Sequence, residues 1–404
     1  MELLKLAIVF ALILVFLGLR KPLWLVMIGG AILLGLIFQM PPDEFLLDYG
    51  QSLISWQTWE LVLILWFIMI LEGIMSTHGY MQRMLSAMDN LFHSKKVDIV
   101  TLPMLIGFLP SAGGALFSAP MVEKSAEGSN LSPETKSIIN IHFRHVMETF
   151  FPTYPGIILA AQLAGIPLFS LMGIMFPITI FIFCIGLFFV RQVQNQPPAE
   201  DKTKDKTPLT QGLCALFRSM WPFFLLIAQI TILRISTWLA ALITLVALLI
   251  LVKPTLKQLP KLLRQSTKWK ILLMVFSVLA FKDILYASGA VANLPQIISD
   301  LPIPAYLVFS LSTLIAAIIT GMEMPAISLT MPLALAAMPN AALLPLAGLM
   351  ILSAYVGAQI TPMHLCITIV AEYFQANLQK VLLKSLPMYL IIYGVGLAFY
   401  HLIR

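Results

Sequence analysis

The chain has 404 residues, of which 59% are hydrophobic and 11% charged, with a formal net charge of +6. A soluble core of this size does not hide so much apolar surface, and runs of the ~20 apolar residues that a bilayer-spanning helix needs recur along the chain. A soluble domain is excluded, and the basic excess, which gathers in loops, is an orientation signal and no nucleic-acid footprint.

In chain order, the first apolar run, about 3–19, follows only Met1–Lys5 and has no small-residue cleavage site, so it reads as a retained span. Spans at about 22–39 and 59–77 follow, separated by an acidic loop with Asp43, Glu44 and Asp48. Residues 80–93, YMQRMLSAMDNLFH, are amphipathic and suit an interfacial helix. Next comes FLPSAGGALFSAP (108–120), within residues 99–124. The arm 99–109 has 11 residues, about 16 Å at 1.5 Å per residue, too short for an apolar core of about 30 Å. The stretch reads as a re-entrant hairpin with PSAGG at its tip. A span at 139–165 is broken around TFFPTYPG, and a span at 168–190 closes the first half.

A polar, basic linker at 191–218 leads to the second half. Spans at about 219–233 and 238–252 precede the basic loop KPTLKQLPKLLRQSTKWK (253–270), and a span at 271–287 follows. Residues 303–338 carry TGMEMP (320–325) and read as a second hairpin, with two full spans as the alternative. A span at 340–372 is broken around AYVGAQITPMHL (354–365), and 384–402 is the last span.

The two halves resemble each other. LRKPLW (19–24) aligns with LRISTW (233–238) at an offset of 233 − 19 = 214. WELVLILWFIMILEGIMSTHG (59–79) aligns with WKILLMVFSVLAFKDILYASG (269–289) at 269 − 59 = 210, and Pro152 then falls on Pro362. With basic loops on the cytoplasmic side, each half crosses the membrane five times and both termini are external. Five is odd, so the second half is inserted upside down. The expected fold is an all-α polytopic membrane protein with an inverted-topology repeat of 5+5 transmembrane helices. Each repeat holds a re-entrant hairpin and a broken helix, a pattern common in secondary transporters.

Irregular backbone at membrane depth is tolerated only inside protein or beside an aqueous cavity, so the interruptions mark a candidate site. Ser111, Gly113 and Gly114 at the first tip, and Thr320 and Gly321 at the second, offer hydroxyls, amide donors and close backbone approach. Thr149 and Thr153 flank the first break, and Gln359 and Thr361 the second, beside carbonyls that proline frees. Ionisable groups in spans are functional candidates by default. Glu323 at the second tip is the first choice for carrying a coupling proton or ligating a cation; a structural cap is the alternative. Glu148 precedes the first break, with Arg144 and His145 close enough on the same helix for a local pair. Arg144 and His145 are candidates for attracting an anion, and His364 for titrating near neutral pH. Glu72 and Lys282 occupy equivalent positions, 282 − 72 = 210, and read as locally paired or snorkelling. The spacings of Cys184, Cys214 and Cys366 match no metal or redox motif, and no cofactor fingerprint is present.

On these features the sequence resembles the ion-transporter superfamily, which includes gluconate permeases, citrate and dicarboxylate–sodium symporters and arsenite pumps. Within that group LPSAGGALFSAP is most similar to a ten-span prokaryotic membrane family of unknown function. The resemblance covers the whole chain. It implies a homodimer in which a scaffold carries two mobile transport units that work by an elevator motion. The dicarboxylate branch carries Ser-Asn-Thr at its tips, where this chain has Ser111-Ala112-Gly113 and Thr320-Gly321-Met322. The substrate of that branch therefore does not carry over.

The expected function is secondary active transport of a small organic anion across the cytoplasmic membrane, coupled to H⁺ or, as the alternative, Na⁺. The competing readings are an exporter or lipid-head-group translocase, and an intramembrane enzyme. For the enzyme, Ser111 with His145 is the one pair the sequence offers.

Overall fold

The computed structural model describes residues 2–89, 94–108, 114–193, 209–255 and 258–404, and every regular element among them is helical. Proline and left-handed residues set the boundaries. In the first half the helices are α1 (Glu2–Gly18), α2 (Leu23–Ile37), α3 (Pro42–Ile54), α4 (Trp56–Thr77), α5 (Tyr80–Asp89), α6 (Lys95–Gly107), α7 (Gly114–Ser125), α8 (Pro133–His145), α9 (Pro155–Ala164) and α10 (Leu168–Val190). The second half supplies α11 (Leu209–Thr231), α12 (Thr237–Val252), α13 (Gln258–Ser266), α14 (Trp269–Ala287), α15 (Leu294–Ser299), α16 (Ala305–Thr320), α17 (Glu323–Ala337), α18 (Leu343–Gln359), α19 (Leu365–Tyr373) and α20 (Leu378–Ile403). Proline stands at the first helical position of α3, α8 and α9, where its missing amide costs nothing.

Among the described residues four helices are long and apolar enough to cross a membrane, in the stretches Trp56–Thr77, Leu168–Val190, Thr210–Thr231 and Leu378–Ile403. Several shorter helices, including α2, α12, α16 and α17, are equally apolar. Large side chains such as Phe176, Phe188, Ile250 and Leu383 are exposed on outer faces, an arrangement that water disfavours.

The boundaries recur along the chain. Left-handed Arg20 and Gln39 end the turns after α1 and α2, and Arg234 and Lys253 do so after α11 and α12, with 234 − 20 = 253 − 39 = 214. Later, Gly79 matches Gly289 and Gly165 matches Gln375, both left-handed, at 289 − 79 = 375 − 165 = 210. The starts of α6, α8, α9 and α10 fall on those of α16, α18, α19 and α20 at the same offset, as in 305 − 95 = 210 and 378 − 168 = 210. Left-handed backbone at a non-glycine residue costs about 1–2 kcal/mol, so its return at matched positions is a property of the fold and no accident of one loop.

Packing follows the same pairing. Helix α2 packs on α14, and its counterpart α12 packs on α4. The helix pairs α6 with α7 and α16 with α17 pack on α8 and α18 respectively. The last pieces of the broken segments cross over: α9 packs on α17, and α19 packs on α7. Helix α18 is buried from Pro345 to Gln359, and α8 from Ser137 to His145, so these two form the centre of the molecule.

Three helices lie where the sequence reads as loops. The acidic stretch after α2 is α3, the basic stretch before Trp269 contains α13, and α15 follows α14. Helix α11 also begins at Leu209, ten residues before the expected span at 219.

Candidate functional site

Two breaks define the site. Helix α8 tightens into a 3₁₀ turn over Val146–Thr149, and Phe150–Tyr154 are irregular before α9 starts at Pro155. Helix α18 ends at Gln359, and residues 360–364 are irregular before α19 starts at Leu365. Each break contains a proline, Pro152 or Pro362, that withholds an amide donor.

Hydroxyls from the breaks satisfy the ends of the hairpin arms. Thr153 donates to the carbonyl of Phe108 at 3.4 Å, just past α6, and Thr361 donates to that of Ile318 at 2.7 Å in α16. Those carbonyls correspond, since 318 − 108 = 210. Tyr154 adds a hydrogen bond from its hydroxyl to the carbonyl of Gly107. At the turn between α16 and α17, Gly321 adopts φ +70° and lies against the backbone of Met363 and His364. Thr320 donates to the carbonyl of Ala316 at 2.8 Å and accepts from the amide of Met322 at 3.4 Å, so its hydroxyl shapes this turn.

The ionisable side chains meet where the breaks cross. His145 Nε2 lies 3.2 Å from the Arg144 guanidinium and 3.6 Å from Glu148 Oε1. The carboxyl groups of Glu148 and Glu323 lie close enough to interact electrostatically. Glu323 is the first residue of α17, and its carboxyl faces the first turn of α9: a β-carbon at Gly156 would stand 3.0 Å from Glu323 Oε2. Pro155 has no amide hydrogen, so the open donors of that turn begin at Gly156. A helix N-terminus is where negative charge is stabilised. The other carboxyl oxygen, Oε1 of Glu323, is buried and has no hydrogen-bond partner among the described residues.

From the second break, His364 brings its ring to 4.9 Å from that of His145, edge to face. Nδ1 of His145 is 2.6 Å from the carbonyl of Ile141, and Nδ1 of His364 is 2.9 Å from that of Ala358. The ligand atoms of His145, His364 and Cys366 all lie within 4.8 Å of one another.

The remaining candidates are dispersed. Ser111 and Gly113 lie outside the described residues, and Gly114 opens α7. Thr149 is buried and shares a hydrogen bond of 3.0 Å with Thr179 of α10, which ties the 3₁₀ turn to its neighbour. Gln359 is wholly buried, and among the described residues neither its amide nitrogen nor its oxygen has a hydrogen-bond partner. Lys282 pairs locally with Asp283 at 3.1 Å, whereas Glu72 Oε1 is buried with no hydrogen-bond partner among the described residues. Cys366, Tyr154 and Gly156 are site residues that the sequence did not single out. The one local cue is that Tyr154 and His364 occupy matched positions, each capping the helix that follows its break.

Away from this cluster, a cavity of about 440 Å³ opens between α4, the α9–α10 turn and the α11–α12 turn. Glu60, Gln162, Arg234 and Thr237 line it, and the Arg234 guanidinium sits 4.2 Å from the Phe169 ring.

No curated protein matches the chain. Residues 3–403 match a family described as a protein of unknown function, DUF401, and the chain therefore belongs to that family.

Proposed function

We propose that the protein is a proton-coupled secondary transporter for a small organic anion, resident in the cytoplasmic membrane. The observation that carries this reading is the pairing of two buried, interacting carboxyls, Glu148 and Glu323, one from each half, beside the two helix breaks. Two ionised carboxylates buried close together repel, so such a pair is suited to hold a single proton between its members. Release of that proton, with Arg144 and the α9 N-terminus at hand for the charge left behind, is the elementary step of coupling.

The recurrence of helix starts and left-handed residues at one offset supports an inverted repeat of five spans. Contacts between residues assigned to one side agree with it. On the external side Asn293 donates to Glu2 at 2.6 Å and Lys282 to Gln57 at 3.4 Å. On the cytoplasmic side Lys384 donates to Thr135 at 2.6 Å and Tyr373 to Glu123 at 2.9 Å. The hairpins α6–α7 and α16–α17 are re-entrant in this reading. They move with α8–α10 and α18–α20 as a unit against a scaffold of α1–α4 and α11–α14, in an elevator cycle within a homodimer. The protein is a carrier and no enzyme.

The test is uptake by proteoliposomes of labelled hydroxy- and dicarboxylates, preselected by thermal shift, under an imposed pH gradient. Accumulation that follows the pH gradient and ignores a Na⁺ gradient supports the reading. Accumulation driven by Na⁺ alone contradicts it.

A second reading draws on the cavity with Glu60 and Arg234, whose opposite charges fit a zwitterionic lipid head group. Phospholipid retained at fixed stoichiometry, and lost in Arg234→Ala, would favour a lipid-head-group translocase.

A further inference from the structure

We propose that His145, His364 and Cys366 form a binding site for a divalent transition metal of the Zn²⁺ class. Their ligand atoms already lie within 4.8 Å of one another, although the residues come from both halves of the chain. Both imidazoles are prepared in the way metal-binding histidines are. Each has Nδ1 against a backbone carbonyl, that of Ile141 or Ala358, which fixes the proton there and leaves Nε2 with its lone pair.

Two imidazole nitrogens and one thiolate suit Zn²⁺ and Co²⁺ far better than Ca²⁺ or Mg²⁺, which take oxygen ligands. Metal–ligand bonds of about 2.0–2.3 Å place tetrahedral donors about 3.3–3.8 Å apart, so the triad must close by about 1 Å. Cys366 sits in the first turn of α19, directly after the irregular residues 360–364, where a rotamer change and a small backbone shift supply that movement.

Two charged groups face the triad. Arg144 donates toward His145 Nε2 at 3.2 Å, and the metal replaces this contact. Glu148 Oε1, 3.6 Å from the same nitrogen, supplies a negative charge that offsets the added positive one. This site stands on the ligand geometry and needs no transport activity to exist.

The test is titration of the purified full-length protein in detergent with Co²⁺, followed by displacement with Zn²⁺. One Co²⁺ per chain is expected, with tetrahedral d–d bands and a thiolate-to-cobalt charge-transfer band, all erased by Zn²⁺. Cys366→Ser should abolish the charge-transfer band, and His364→Gln should weaken binding at least tenfold, with metal-free melting temperatures unchanged in both. A charge-transfer band that survives Cys366→Ser would come from Cys184 or Cys214 and would overturn the proposal, as would absence of stoichiometric binding by the unaltered protein. If either variant melts early, the same titration on Cys184→Ser/Cys214→Ser decides: its band must persist.

Discussion

Gly156 lies directly under the carboxyl of Glu323, so that a β-carbon there would stand 3.0 Å from Oε2. The two residues come from different halves of the chain, and their contact joins the start of α9 to the start of α17. Gly156→Ala forces the Glu323 carboxyl to shift by a few tenths of an ångström while leaving the helix intact. Displacements of about 1 Å at a reacting centre cost about a hundredfold in rate, so a fall of about tenfold in uptake is expected, with an unchanged melting temperature. Reconstituted transport alongside thermal unfolding measures both.

Gly321 needs its missing side chain for two reasons. Its φ is +70°, and a β-carbon would meet the Met363 carbonyl carbon at 2.4 Å. Gly321→Ala should destabilise the protein by about 3 kcal/mol or more. Gly289 has φ +71° and open space around it, so Gly289→Ala should cost only about 1 kcal/mol. Chemical denaturation of both variants tests the difference.

Thr361 and Thr153 satisfy equivalent carbonyls with unequal geometry, 2.7 Å against 3.4 Å. Thr361→Val leaves the Ile318 carbonyl without that donor and should cost about 1–3 kcal/mol. Thr153→Val should cost less, since a bond of 3.4 Å is weak and Tyr154 already holds the neighbouring carbonyl. Melting temperatures of the pair give the comparison.

Gln359 buries a whole amide that has no hydrogen-bond partner among the described residues. An unsatisfied buried polar group costs about 1–3 kcal/mol, so a chain that keeps one is holding it for a ligand or a water. Gln359→Leu should therefore raise thermal stability and lower uptake together. A variant that is less stable and transports normally would assign the amide a packing role instead.

The helical segments, their breaks and the offset of 210 were legible in the sequence because proline, glycine and apolar periodicity act locally. The prolines at 152 and 362 mark both breaks, and Glu323 stands out as a lone charge in an apolar stretch. Helices α3 and α13 were not legible as helices: Asp43, Glu44 and Asp48, or the lysines after Lys253, look like loop residues until one apolar face is seen to pack. Thr149 illustrates the same limit within the site. Its position beside a break pointed toward a ligand, yet only tertiary packing reveals that its hydroxyl meets Thr179. Cys366 carried no signal because its partner His145 lies 221 residues away, at 366 − 145, and distance along the chain says nothing of distance in space.

In the proposed cycle Glu323 exchanges the coupling proton with Glu148. Glu323→Gln keeps the size and one hydrogen bond of the side chain and removes its titration. Uptake into proteoliposomes under a pH gradient should lose its accumulation above equilibrium in this variant, while substrate exchange at equal concentrations continues. Accumulation equal to that of the unaltered protein would contradict the account.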